Sequence, residues 1–445
     1  MSTLQRLLER FWFFPAVLCL VALVLAEGLV AVDRSITGLG APGWVELFVY
    51  QVGESGSRDV LSTIATASLA VAGTTFSITM AVLALTSSTY GPRLVRNFMA
   101  DRGNQLVLGV YVATFLYSLV VLRSIRVLGD PGDQDAQVFV PHLAVNGAVL
   151  LGIANVGVLV YFIHHISDSI QIATLASGVR ADLRATVDRL YPESVGHGET
   201  ATEDTRVLEE AERDGVPVLA GRPGYVQSVH DDDLMGAATD HDVLLVLRVR
   251  PGEYVLDDTV LVLVHPPERV GDDLRRAVRD AFDVTDARTP FQDVDYAVQQ
   301  LTEIAVRALS PGTNDPYTAV NALDDLSAGL SLLAARPTPS SARYDDHGVL
   351  RVHAEGTDVT VLVGAVLDSL RWYGASAPLV MHHCLEFVDR VGERNRHASL
   401  RTLLLTQVEL LRNAFGAAGH GDHDVFDFDG HAERVRTRLL SRKVA

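Results

Sequence analysis

The residues most able to do chemistry fall into four groups: a proline-bounded turn, a histidine–glutamate pair, an acidic histidine-rich segment and a stripe of hydroxyls. The turn is Ser310-Pro311-Gly312-Thr313-Asn314-Asp315-Pro316. Pro311 and Gly312 can end one helix, Asn314 or Asp315 can cap the next, and Pro316 suits a first helical turn, so helix punctuation is one reading. The other is a ligand turn, in which free amides at the helix start join Ser310, Gly312, Thr313, Asn314 and Asp315 to hold an anion or small ligand. His382 and Glu386 are four apart on an expected helix and share a face, which is metal-pair spacing, but no third ligand follows on that helix. From Gly419 through His420, Asp422, His423, Asp424, Asp427 and Asp429 to Gly430 the chain could attract a divalent cation. Measured back from Asp427 and Gly430, however, an EF-hand would need Val425 and Arg436 at its first and last positions. A surface loop is the expectation there.

His164 and His165 are adjacent and so point to different sides of a helix, with Asp168 one turn on. An interfacial, partly hydrated position suits them better than a metal site. The chain contains no glycine-rich phosphate loop, no nucleophile elbow and no H-E-x-x-H helix. Nothing pairs a nucleophile with a base at recognisable spacing. No enzyme activity is expected, and no catalytic, cofactor-binding or metal-ligating residue is assigned.

The elements that must position these groups divide sharply by hydropathy. Four apolar stretches, at about 11–32, 60–87, 106–122 and 142–163, are long enough to cross a bilayer as helices, and nothing after them is. Arg6 and Arg10 precede the first, Arg93, Arg96 and Arg102 join the second to the third, and Arg180, Arg184 and Arg189 follow the fourth. The intervening connections are mixed or acidic. By the positive-inside rule both termini are expected to face the cytoplasm. Arg123 and Arg126 are discordant, since they end the third span on the outer side. A cleaved signal peptide in place of the first span would leave three spans with the same C-terminal orientation.

The second span carries the hydroxyl stripe. Asp59, Thr63, Thr66, Ala70, Gly73, Ser77, Ala81, Ala84 and Ser88 recur at steps of three or four, which puts them on one helical face. Small residues let helices approach closely, so the stripe reads as a packing seam. Alternatively it lines a hydrated pathway. In the fourth span, Asn146 and Asn155 are amides that need partners in lipid.

The formal charge of −18 is concentrated after residue 170, where 44 acidic residues face 28 basic ones. So acidic a region has no face for phosphate backbones, which argues against nucleic acid as a partner. Cys19 and Cys384 are too few for a disulfide framework.

The fold class expected is a membrane α-helical part with four transmembrane helices, followed by a cytoplasmic α+β region with a small β module and a helical subdomain. The boundaries are 1–170 for the transmembrane domain, 171–220 for a helical and acidic connector, 221–266 for the β module and 267–445 for the helical region. In the module Gly224–Val229, Val243–Val249, Tyr254-Val255 and Val260–Val264 read as strands, and Asp231–Ala238 as a short helix capped by an aspartate. Its alternation and Arg250-Pro251-Gly252 turn are similar to the half-barrels of biotinyl and lipoyl carriers, but no lysine is present there to carry a swinging arm. Further on, Glu268–Asp283, Asp293–Leu309, Tyr317–Ala335, Ala377–Val391 and His397–Phe415 read as helices. Val349–Val352 and Asp358–Leu362 read as short strands.

Several phrases together carry a family resemblance. They are Gly73-Thr74-Thr75-Phe76-Ser77-Ile78, Gly91-Pro92-Arg93, Gln105-Leu106-Val107-Leu108-Gly109, Gly224-Tyr225-Val226-Gln227, Arg250-Pro251-Gly252 and Ala308-Leu309-Ser310-Pro311-Gly312-Thr313-Asn314-Asp315-Pro316. The chain resembles, over nearly its whole length, the bacterial predicted membrane proteins grouped as domain of unknown function 2254. The resemblance implies an inner-membrane protein with a C-terminal region in water, and it brings no activity with it. Two functions are expected from the residues themselves. One is an oligomeric channel- or transporter-like protein whose pathway runs between copies along the second span. The other is a membrane-anchored sensor or scaffold whose cytoplasmic domain binds a ligand or partner. The partners implied are a lipid bilayer, further copies of the chain and a small ligand or ion.

Overall fold

The computed structural model describes residues 12–39, 53–90, 101–126, 139–169, 172–191 and 202–442, with side chains left out for a few residues at helix ends. The chain forms two compact units, Met1–Thr174 and Leu175–Ala445.

The N-terminal unit holds α1 (Phe13–Leu39), α2 (Glu54–Tyr90), α3 (Arg102–Ser124) and α4 (His142–Ser169). All four are long and apolar enough to cross a membrane. α3 is the hub, packed against each of the others. Its seams are small: Ala113 meets Ala22, Ala26, Ala144 and Ala148 in one buried cluster. A Cβ added at Gly109 would stand 2.7 Å from the Leu18 Cδ1 of α1, which shows how closely the two helices approach. The outer faces of α1 and α4 are broadly apolar, with Leu20, Val24, Leu150, Ile153, Val156 and Val160 exposed.

Polar groups inside this unit are matched to one another. The Asn155 Nδ2 of α4 donates to Ser68 Oγ of α2 at 3.0 Å, and its Oδ1 accepts from Thr114 Oγ1 of α3 at 3.3 Å. Tyr111 donates its hydroxyl to the Asn155 carbonyl, and Tyr117 donates to the Ala144 carbonyl. Asp33 accepts from the Leu143 and Ala144 amides, tying α1 to the first turn of α4. Backbone amides left free at a helix start are natural donors to a carboxylate. Asn146 turns back to the His142 carbonyl of its own helix. The discordant Arg123 lies 3.5 Å from Glu27, so an acid accompanies it.

The C-terminal unit begins within α5 (Ile172–Leu190), followed by α6 (Thr202–Asp214). Next come β1 (Val216–Leu219), β2 (Gly224–Val229), α7 (Asp231–Asp240), β3 (Leu244–Leu247), β4 (Tyr254–Val255), β5 (Val260–His265), α8 (Asp272–Asp280) and β6 (Phe282–Thr285). The helices α9 (Val294–Ala308) and α10 (Pro316–Ala335), the strands β7 (Ala342–Tyr344) and β8 (Leu350–His353), and the helices α11 (Val359–Gly374), α12 (Pro378–Arg394), α13 (Ala398–Ala417) and α14 (Asp422–Ser441) complete it. One sheet has the order β1-β5-β3-β8-β7, and the other β4-β2-β6. Only β3 and β8 pair in parallel, since the hairpin of β7 and β8 arrives from the far side of α10. Val226, Leu245, Val262, Leu274 and Phe282 form the core beneath the strands. The Arg250-Pro251-Gly252 turn has a steric reason for its glycine. Gly252 has φ +94°, and a Cβ there would collide with the carboxylate of Asp293, which caps α9 and is held by Arg288 at 2.7 Å.

Four local expectations are corrected. The expected helix Glu268–Asp283 is a 3₁₀ turn, the short α8 and then strand β6, because Phe282 and Val284 pair with β2. Asp358–Leu362 is the start of α11: Asp358 caps it by accepting from the Thr360 amide, and the apolar period continues through Val363, Val366, Leu367 and Leu370. The β-branched run suggested a strand, and the cap with a 3.6 period prevails. α7 is capped by His230 without a side-chain hydrogen bond, so no aspartate caps it. The acidic histidine segment is not a loop beyond Gly421, since Asp422, Asp424, Asp427 and Asp429 all lie on α14. Phe428, Ala432, Val435 and Leu439 bury that helix, with Phe428 stacked 4.2 Å from Phe415.

Candidate functional site

The C-terminal unit contains a cleft of about 770 Å³ built from three helices distant in sequence. One wall is α5, whose Ser177, Arg180, Ala181 and Arg184 share a face by their spacing. The opposite wall is α12, with Arg390, Glu393 and Arg394. Asp324, Ser327, Ala328, Ser331 and Leu332 of α10 form the floor. Small residues on α10 make the floor low and let the wall come close. A Cβ added at Gly329 would collide with Leu183 of α5, which is fully buried. Two ion pairs hold α5 to α10 in parallel register, Arg180 with Asp325 at 2.6 Å and Asp188 with Arg336 at 2.6 Å.

Four guanidinium groups face two carboxylates in this lining, in a unit that is otherwise strongly acidic. Their commitments differ. Arg390 is paired to Asp324 and lies 3.2 Å from Glu386. Arg180 is paired to Asp325, which is mostly buried. Arg184 reaches only Asp188 of its own helix, at 3.9 Å. Arg394 is exposed and has no ion pair among the described residues.

The floor holds two unusual groups. Ser327 and Ser331 are 3% and 6% exposed, and neither hydroxyl has a hydrogen-bond partner among the described residues. Many helical hydroxyls elsewhere return to the carbonyl four residues back, as Thr186, Thr302 and Ser369 do, although Ser118 of α3 is also buried and unmatched. A buried polar atom left unmatched costs about 1–3 kcal/mol. The arrangement therefore leaves Arg184 and Arg394 for a polar guest, with two covered, unmatched hydroxyls in the floor beneath them.

The Ser310–Pro316 turn, read as helix punctuation or as a ligand turn, is engaged with itself. Thr313 and Asn314 donate their amides to the Ser310 carbonyl at 3.0 and 2.9 Å, and Asp315 donates its amide to the Ala308 carbonyl at 2.8 Å. Ser310 donates its hydroxyl to Thr313 Oγ1. Asp315 caps α10, accepting from the Thr318 amide and hydroxyl, and these bonds hold its carboxyl below the usual carboxylate range. Asn314 takes the left-handed conformation, φ +46°, which asparagine tolerates. Gly312 has open space around it.

The stripe on α2 faces away from the other three helices: Asp59, Thr63, Thr66, Ala70, Gly73, Ser77, Ala81 and Ala84 are all exposed. The side chain of Ser88 lies outside the described residues. A second small-residue face, with Ser57, Ala65, Ser68, Ala72, Thr75, Thr79 and Thr86, is the one packed inside. Thr63 and Ser77 donate to the carbonyls of Asp59 and Gly73, so they need no partner outside.

His382 and Glu386 are not brought together on a guest. His382 turns inward, its Nδ1 3.0 Å from His431 Nδ1 and its ring against Phe428, while Glu386 accepts from Arg390. Burial lowers the pKa of both His382 and His431 below the ordinary histidine value. His165 lies 2.6 Å from Asp101, and His164 3.4 Å from Asp168.

Sequence reasoning counted Arg180 and Arg184 only as topology signals and passed over Ser327, Ser331, Arg390 and Arg394. The available signal was the run of small residues at helical spacing in α10, which otherwise carries leucines. Which arginines would face it depends on helix pairing that no local pattern shows.

Comparison with known proteins accords with this architecture. A family described as "Predicted membrane protein (DUF2254)" matches residues 9–390. An uncharacterized protein of Mycobacterium tuberculosis and another of Mycobacterium bovis are each 33% identical over 376 residues, covering 83% of this chain and 70% of theirs. No solved structure matches.

Proposed function

The chain belongs to the DUF2254 family of predicted membrane proteins, and from that premise we propose that it is a membrane-anchored sensor whose C-terminal unit binds a small ligand. The observation that carries this reading is the cleft between α5, α10 and α12, floored by two buried, unpartnered serine hydroxyls. Its volume of about 770 Å³ suits a metabolite-sized guest, within the roughly 300–1,000 Å³ of ligand pockets generally. The four apolar helices then serve as the anchor. Their interior is occupied by the Asn155, Ser68 and Thr114 bonds, which leaves little room for a pathway within one copy. The arginine distribution supports a cytoplasmic position for the C-terminal unit, where soluble metabolites would reach it.

A thermal-shift screen of the full chain in detergent tests the proposal, with Gly329→Val, which pushes Leu183 and α5 off α10, as the cleft-disrupted control. Compounds that stabilise the wild type and not the control are the expected result. A screen in which every stabilising compound acts equally on both would contradict it.

The outward stripe of α2 favours a second reading, an oligomeric channel- or transporter-like protein with its pathway between copies. Thr63, Thr66, Gly73 and Ser77 give that face a polarity that α1 and α4 lack. Reconstituted liposomes carrying wild type or Ser77→Leu would distinguish the two. Flux in the wild type that the variant reduces would support transport, and none in either would leave the sensor.

A further inference from the structure

We infer that the guest of this cleft is a compact, non-aromatic molecule carrying phosphoryl groups, bound by Arg184 and Arg394 from the two walls and by Ser327 and Ser331 from the floor. The inference rests on the ligand-binding reading above and adds the chemical class.

Charge is the first argument. Four arginines line the cleft, in a unit with 44 acidic and 28 basic residues after position 170. Asp324 and Glu393 share the lining, and Asp325 and Glu386 just outside it engage Arg180 and Arg390, so the positive charge left for a guest sits on Arg184 and Arg394. Guanidinium forks match the paired oxygens of phosphoryl and carboxylate groups, and a doubly charged phosphoryl group can use more than one fork. Arg184 and Arg394 have the weakest commitments within the protein, so they are the forks most ready to turn to a guest.

The second argument is the pair of hydroxyls. Ser327 and Ser331 are buried, unmatched and in the lining. An anion oxygen accepts from both, and each then gains the partner that its own helix does not supply. No proton leaves either serine, and no bond is made or broken. This is a binding site.

The lining also constrains what else the guest contains. No aromatic residue contributes to it, and Leu332 is its one large apolar side chain. A nucleobase would find no ring to stack on. A phosphorylated polyol or an inorganic polyphosphate fits better. The same chemistry can come from a soluble anion or from the headgroup of an anionic lipid.

Isothermal titration calorimetry on the full chain in detergent, with sodium pyrophosphate and separately with dihexanoyl phosphatidylglycerol, tests the inference and separates the sources. Pyrophosphate binding assigns a soluble guest, and binding of the lipid alone assigns a headgroup. Either supports the inference if the Arg184→Gln/Arg394→Gln variant weakens it by about tenfold or more, as loss of charge-assisted bonds requires. Ser327→Ala should weaken it by about threefold, and Arg276→Gln, an exposed arginine on α8 outside the cleft, should leave it unchanged. Two results overturn the inference: neither probe binding at millimolar concentration, or binding that the Arg276→Gln variant weakens as much as the cleft variant does. If neither probe binds but a neutral compound stabilises wild type and not Gly329→Val, the anion class fails and the sensor reading stands.

Discussion

Two long helices in this chain carry hydroxyl residues on one face, and they treat them oppositely. On α2 the outward Thr63, Thr74 and Ser77 donate back to the carbonyls of Asp59, Ala70 and Gly73. On α10 the buried Ser327 and Ser331 donate to nothing. A hydroxyl that closes on its own backbone is chemically finished and can face lipid or another helix without penalty. A hydroxyl left open inside a protein is costly, and its retention beside four arginines points to a guest. Polarity on a helix face is thus a poor guide to function until the fate of each donor is known.

The largest effect is expected from wedging α5 away from α10 beneath the cleft. Gly329→Val should drive Leu183 and α5 away from α10 and cost about 1–3 kcal/mol, as overpacked sites do. A calorimetric scan should show a lower Tm together with loss of ligand stabilisation. An unchanged Tm would mean that α5 does not pack as described.

Acid should come next in effect and should spare the arginines. His382 and His431 are half-buried and stacked on each other, with His382 also against Phe428, and this partial burial lowers both pKa values below 6.5. Asp427 and Glu386 pull His382 the other way, and Arg434 opposes protonation of both rings. The unfolded chain therefore binds more protons than the folded one between the two sets of values. Their contribution to stability is complete above about pH 6.5 and disappears as pH falls through the lowered folded values. Tm measured at falling pH should decline below that point, and less steeply in His431→Phe. An equal decline in the variant would assign acid sensitivity elsewhere.

A smaller effect is expected inside the N-terminal unit. Asn155→Leu removes the partner of Ser68, while Thr114 keeps its bond to the Val110 carbonyl, at a cost of about 1 kcal/mol, since hydrogen bonds between membrane helices are individually modest. Denaturant titration in mixed micelles measures it, and a stabilised variant would show that the network is not needed for packing. The smallest effects sharpen the comparison most. Ser327→Ala should change unliganded stability by no more than about 0.5 kcal/mol, or raise it, because an unmatched hydroxyl is removed. Ser77→Ala should be equally neutral, yet only the first should weaken ligand binding.

Much of this architecture is written in local pattern. The four spans follow from runs of apolar residues, and α9, α10, α12 and α13 from their helical periods and proline starts. Other features depend on partners. α2 has two small-residue faces, and nothing in the sequence says that Ser68 and Thr75 turn inward while Thr66 and Ser77 turn outward. That choice is made by Asn155, which donates to Ser68, and by packing against α3. The hairpin of β7 and β8 joins a sheet whose other strands lie before residue 270. The cleft joins Arg184, Ser327 and Arg394, and no local window contains all three. By contrast, the Ser310–Pro316 turn was conspicuous because its residue types are rare together, and the structure uses them to cap α10.

The most direct test of the central claim is an experimental density map of the full chain prepared with saturating pyrophosphate. The account predicts density between α5 and α12, within hydrogen-bond reach of Ser327 Oγ and the Arg394 guanidinium. An empty cleft at saturation, or an anion seated elsewhere, would contradict it.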